Sequence, residues 1–180
     1  MKYPVIGDET LIQINTLSTY WKLAGFIACC SYFFYCILHL SAWHFIDGVN
    51  LIIHEAGHVI FQPFGTLVTF MGGSLLQIMV PCMFAIYFWV QKQFISSSIM
   101  LLWVGQNFIN ISVYVGDAIA MQLPLLGDDA SMHDWNNILR ITHSLQNAPM
   151  ISHMLYAIGF FVMMGGVGVG GWKIFKKIKR

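Results

Sequence analysis

The residues with the clearest chemical potential are His54, Glu55 and His58, which stand as His54-Glu55-Ala56-Gly57-His58 inside an otherwise apolar run. On a helix, two histidines four residues apart lie one above the other on one face, so both imidazoles can reach a single tetrahedral metal ion. Glu55, between them, is then placed to take the proton of a metal-activated water. A carboxylate at the centre of a bilayer costs about 2.5 kcal/mol or more, so a Glu kept beside two histidines in such a run points to chemistry rather than packing. The expected cofactor is Zn2+, whose catalytic sites take three protein ligands and keep one position open. A third donor is therefore needed.

Elimination narrows the choice. The only glutamates are Glu9 and Glu55, so no later Glu can complete the site. The longer H-E-x-x-H-x-x-G-x-x-H signature also fails, because Phe61 and Phe64 stand where Gly and His are required. Downstream there remain Asp117, Asp128, Asp129, His133, Asp134, His143 and His153, with His39, His44 and Asp47 upstream. Asp117 is the preferred third ligand, because it ends a polar stripe of Asn107, Asn110, Tyr114 and Asp117 on one face of an expected span. His133 is the alternative third ligand, and Asp134 is a candidate for orienting a neighbouring imidazole. Asp47 and Asn50, seven and four residues before His54, share its face and are expected to support the site from behind. Asn107, Asn110 and Gln77 are candidates for hydrogen bonds to a substrate.

These groups must be held by elements within a membrane. Of the 180 residues, 57% are hydrophobic and 9% charged, against about 25% charged in soluble domains. At about 20 apolar residues per span, the length allows about five helices in a single all-α integral membrane domain. An extramembrane tail is expected over 1–21, the first four spans with the metal site over 22–121, an outer loop over 122–149, a last span over 150–172 and a basic tail over 173–180. The second span, 43–61, carries the histidines. The stretch 64–73, closed by Gly72 and Gly73, predicts a short re-entrant or extended segment after it. Glycines 165, 166, 168, 170 and 171 are expected to allow close packing of the last span. A net charge of +1 leaves no basic surface for nucleic acid. Lys92 and the C-terminal lysines place those ends in the cytoplasm and the N-terminus outside, with the inner membrane of a bacterium as the expected location.

The stretch HEAGHVIFQPFGTLVTFMGG is similar to the zinc-binding region of the site-2 protease family of intramembrane metalloproteases, in which an H-E-x-x-H span precedes a glycine-punctuated loop. The resemblance covers the second to fourth expected spans, and its specific part is the five-residue motif. It implies an Asp ligand from a later span and a membrane protein or peptide as substrate. Two departures stand out: the N-x-x-P-x-x-x-x-D-G pattern of the family is absent, Asp117 being followed by Ala118, and there is no room for an inserted PDZ-type domain. The expected function is zinc-dependent hydrolysis of peptide bonds in or near the bilayer. The alternatives are a non-enzymatic metal-binding membrane protein serving transport or assembly, and a zinc hydrolase of lipid or amide substrates.

Overall fold

The computed structural model describes residues 8–123 and 133–179, and side chains from residue 17 onward. Every regular element among them is helical: α1 (Asp8–Leu38), α2 (Phe45–Phe61), α3 (Thr66–Val90), α4 (Phe94–Gly116), α5 (Asp134–Ile141) and α6 (Ala148–Ile178). Four stretches are long and apolar enough to cross a membrane: Leu17–Leu38, Thr66–Val90, Phe94–Gly116 and Leu145–Ile178. The bundle of about five helices thus consists of four such helices and the shorter α2. At 17 residues, α2 is only about 25 Å long. Its buried residues, Asp47, Asn50, His54 and Gly57, are mostly polar.

Contacts set the direction of each helix. α4 and α6 are antiparallel: Gly166 lies against the Ser98 carbonyl, Gly105 against Gly159, and Ser152 Oγ donates to the Ser112 carbonyl at 2.7 Å. Close approach is the reason for glycine at 105 and 159, where an added Cβ would strike the facing backbone. Gly166 and Gly170 also face neighbours, whereas Gly165, Gly168 and Gly171 meet open space, so only part of the glycine run serves packing. Gly170 makes room for the ring of Phe26, while Phe33 and Ile37 join Leu102, Ile109 and Met163 in the core. α1 therefore runs parallel to α4, with its N-terminal half at the same end of the bundle as the Lys92 turn and the end of α6. This differs from the expected topology, which put the N-terminus at the opposite end. The difference arises because α2 begins about midway along α4, where Gln106 Nε2 donates to Asp47 Oδ1 at 3.1 Å, and does not traverse the bundle.

The turn into α2 is fastened by Tyr32 Oη, which accepts from Ile46 N at 3.0 Å, and by Asp47 Oδ2, which accepts from His44 N at 2.9 Å. After Phe61 the chain makes one 3-10 turn, Gln62–Phe64, and reverses at Gly65, whose φ of 95° suits glycine. The expected re-entrant or extended segment is not formed, because α3 begins directly at Thr66 and runs unbroken through Gly72 and Gly73. Those glycines do not end the segment. They let α2 lie against α3: a Cβ on Gly57 would strike the Gly72 carbonyl, and a Cβ on Gly73 would strike the His54 ring.

Candidate metal centre

The stripe on α2 continues from Asp47, Asn50 and His54 to His58, and the close α2–α3 crossing brings both imidazoles against α3. Their ring centroids are 4.9 Å apart at a steep angle. The third member of the group comes from 80 residues downstream. Asp134, the first residue of α5, sets Oδ2 3.0 Å from His54 Nε2 and 3.2 Å from His58 Nε2. Potential ligand atoms of His54, His58 and Asp134 all lie within 4.8 Å of one another.

α5 is short, so its position rests on tethers. His133 Nδ1 accepts from Asn136 N at 3.2 Å and caps the helix. Asn136 Nδ2 donates to the Ala118 carbonyl at 2.7 Å, and Trp135 Nε1 donates to Ser74 Oγ at 3.1 Å. Tyr114 Oη accepts from Asp134 N at 3.0 Å and lies 3.4 Å from Asp134 Oδ2. A small cluster of Ala118, Leu139 and Ala148 packs beneath these bonds. Together they fasten α5 to α3 and α4 with Asp134 facing the two imidazoles.

The orientation of the donors shows what the group fits. His58 Nδ1 lies 2.8 Å from the Thr69 carbonyl, which only accepts, so Nδ1 carries a proton and Nε2 is the nitrogen turned to Asp134. His54 Nδ1 lies 3.1 Å from Gln77 Oε1, and the same logic turns its Nε2 toward Asp134. Two imidazole Nε2 atoms and a carboxylate oxygen thus converge on one small volume, held by Nε2 protons shared with Asp134 or by a metal ion that could take their place. Imidazoles whose other nitrogen is held by an acceptor are the usual form of histidine ligands. Two nitrogens and one carboxylate oxygen also suit zinc and leave a coordination position open. Burial works against the charge on Asp134, but hydrogen bonds from His54 and His58 outweigh it and hold its carboxyl below the usual carboxylate range.

The other expected site residues lie elsewhere. Asp117, preferred from sequence as the third ligand, is not inside a span but caps the end of α4, where it accepts from Gln122 N and Leu123 N, both at 2.9 Å. Its Oδ2 is 3.4 Å from Nε2 of the alternative ligand, His133, which is fully buried. These two residues pair with each other and are not in the group formed by His54 and His58, because the carboxylate of Asp117 is used to turn the chain. Asp134, expected to orient an imidazole, instead faces both. His39, His143 and His153 are exposed and outside the group, and Asp128 and Asp129 lie outside the described residues.

Behind the donors is a polar layer. Gln77 Nε2 donates to Asn110 Oδ1 at 3.0 Å, Asn110 Nδ2 to Asp47 Oδ1 at 3.3 Å, and Asn50 Nδ2 to Gln106 Oε1 at 2.9 Å. Gln77, Asn110, Asp47 and Asn50 therefore support the centre. Asn107 is fully buried, donates to the Trp103 carbonyl at 3.0 Å and takes no part in the group. Glu55 is exposed, about 60° around the helix from His58, on a face it shares with Ile52 and Val59. It makes no hydrogen bond among the described residues, which leaves its carboxylate free to act. An open cavity of about 320 Å³ lies at the turn between α2 and α3, lined by Gln62, Gly65, Thr66, Thr69 and Phe70, of which Thr69 touches His58.

Sequence reasoning missed Thr69, Gln106 and the place of Asp134 beside both imidazoles. Thr69 acts through its carbonyl, which no side-chain pattern reveals. Gln106 is one residue from the Asn107 singled out, and Asp134 carried a signal in its place next to His133 at the start of a short amphipathic helix. No family model matches the chain, and no curated protein and no solved structure matches it.

Proposed function

We propose that this chain is a membrane-embedded zinc metallopeptidase of the H-E-x-x-H type, acting on membrane protein or peptide substrates in or near the bilayer. The observation that carries this proposal is the convergence of His54 Nε2, His58 Nε2 and Asp134 Oδ2, with Glu55 on the flank of the same helix. It is in keeping with the resemblance of residues 54–73 to the site-2 protease family, with Asp134 rather than Asp117 as the Asp ligand. Zinc held there would bring the pKa of a water to about 7 and polarise a scissile carbonyl. Glu55 takes the proton that this water loses on attacking the carbonyl carbon. It then returns the proton to the leaving nitrogen as the C–N bond breaks. Gln77 and the Thr69 carbonyl hold Nδ1 of His54 and His58, so both rings turn Nε2 to the reaction centre.

Residues 66–70, within the stretch expected to be re-entrant or extended, are helical and offer no free strand to a substrate. In this proposal the peptide approaches across the exposed face of α2, between Glu55 and the cavity at Thr66 and Thr69. By the excess of lysine near Lys92 and the end of α6, those ends face the cytoplasm and the metal centre opens toward the other side of the membrane. The test is Glu55→Gln in purified protein with zinc content and peptide cleavage measured together. Retained zinc with cleavage abolished is expected. Cleavage at the wild-type rate overturns the mechanism, and reversible metal binding without cleavage in the wild type favours transport or assembly.

A further inference from the structure

We propose that Asp47 is a positioning residue for the metal centre: its carboxylate, acting through Asn110 and Gln77, keeps an acceptor on His54 Nδ1 and so holds the ring with Nε2 toward Asp134. The inference rests on the proposed role of His54 as a ligand. Asp47 lies about two turns before His54 and does not belong to the ligand group. Its carboxylate is saturated with donors. Oδ1 accepts from Gln106 Nε2 at 3.1 Å and Asn110 Nδ2 at 3.3 Å, while Oδ2 accepts from His44 N at 2.9 Å and faces His44 Nδ1 at 3.0 Å.

An ionised carboxylate can only accept, and this gives the network a direction. Asn110 must turn its NH2 group to Asp47, which points its carbonyl oxygen at Gln77. That oxygen accepts from Gln77 Nε2 at 3.0 Å, so Gln77 must turn Oε1 to His54 Nδ1, 3.1 Å away. An amide oxygen cannot donate, so His54 Nδ1 carries a proton and donates, while Nε2 lies 3.0 Å from Asp134 Oδ2, an acceptor that a second ring proton or a metal ion would satisfy. A side branch is equally unambiguous. Trp103 Nε1, a donor only, gives to Asn50 Oδ1 at 2.8 Å, and Asn50 Nδ2 gives to Gln106 Oε1 at 2.9 Å. This branch holds Gln106 with its NH2 group on Asp47. His58 needs no such chain, because a backbone carbonyl that no substitution alters orients its ring. Control by remote charge therefore falls on His54 alone.

The test removes the direction while keeping the shape. Asp47→Asn puts at the head of the chain an amide that can donate or accept, so both senses become available. In metal-free protein, the 15N spectrum of His54 is expected to change from a fully protonated Nδ1 to a mixture of protonated and bare Nδ1, because Asp134 Oδ2 accepts at Nε2 in either case. Zinc affinity, measured by chelator competition, is expected to fall about 10- to 100-fold. Adding Gln77→Glu to that variant places an obligate acceptor directly on His54 Nδ1, and both the fully protonated Nδ1 and the zinc affinity should return. A purely structural role for Asp47 would not be rescued at position 77. If Asp47→Asn does not fold, Asn110→Ala breaks the same chain and leaves the Asp47 bond to His44 N intact, with the same mixed Nδ1 protonation expected. A His54 that stays wholly Nδ1–H when the chain is broken, or an affinity loss that Gln77→Glu leaves uncorrected, overturns the proposal. The protonation of Nδ1 is read without metal, so a wild type that binds no zinc would refute the peptidase proposal and still leave this one decided.

Discussion

Gly57→Ala is expected to strip the metal from the centre while the bundle stays folded. The added Cβ would strike the carbonyl of Gly72 and the Cα of Gly73, which are backbone atoms and cannot rotate aside. Restoring ordinary contact near 3.5 Å requires α2 and α3 to part by on the order of 1 Å. Overpacking of this kind costs about 1–3 kcal/mol, and alanine in a helix recovers up to about 1 kcal/mol relative to glycine, so the net loss of stability is modest. The donor group is far less tolerant, since metal–ligand distances hold to about 0.2 Å. A movement several times larger takes His54 away from both Gln77 and Asp134. Gly48→Ala, where a Cβ meets nothing within 4 Å, is the control and should raise stability slightly and leave zinc in place. Zinc competition and thermal unfolding in detergent, run on both variants, measure the two effects. Wild-type zinc affinity in Gly57→Ala, or equal damage from Gly48→Ala, would refute the reasoning.

Other consequences are as direct. The folded-state pKa of Asp134 is depressed, so its stabilising contribution is full above the ordinary carboxylate value of about 4 and is lost as pH falls through the lower folded value. Thermal stability of the metal-free protein should therefore decline below about pH 4, less steeply in Asp134→Asn. Trp135→Phe removes the 3.1 Å bond to Ser74 and should reduce stability by about 0.5–1.5 kcal/mol, with a weaker loss of zinc than any change at Asp134 itself. Reporter fusions at the two termini should report the same side of the membrane. Opposite sides would contradict the parallel course of α1 and α4.

The α2 part of the candidate site was legible because its members are local. An i, i+4 histidine pair with Glu55 needs only a helix, and Asn110 and Tyr114 line up with it by the same spacing. The third member of the group was not legible for two physical reasons. The cost of burying charge in lipid favoured an Asp inside a span, but Asp117 sits where α4 ends and spends its oxygens on the backbone of Gln122 and Leu123. Asp134 reaches the centre through tethers from α5 to three distant positions, Ser74, Tyr114 and Ala118, and long-range pairings of that sort leave no periodic trace. The fold shows the same division. The long apolar helices were evident from composition, whereas the start of α2 midway along α4 depends on Asp47 meeting Gln106 across 59 residues. Gly72 and Gly73 suggested a broken segment, yet their meaning lies in Gly57 and His54 on the neighbouring helix.

The most direct test of the central claim is zinc stoichiometry in the wild type, Asp134→Ala and Asp117→Ala, purified in parallel with folding checked by helix content. The convergence of His54, His58 and Asp134 predicts one zinc per chain in the wild type, retention in Asp117→Ala and loss in Asp134→Ala. Zinc retained in Asp134→Ala and lost in Asp117→Ala would contradict it.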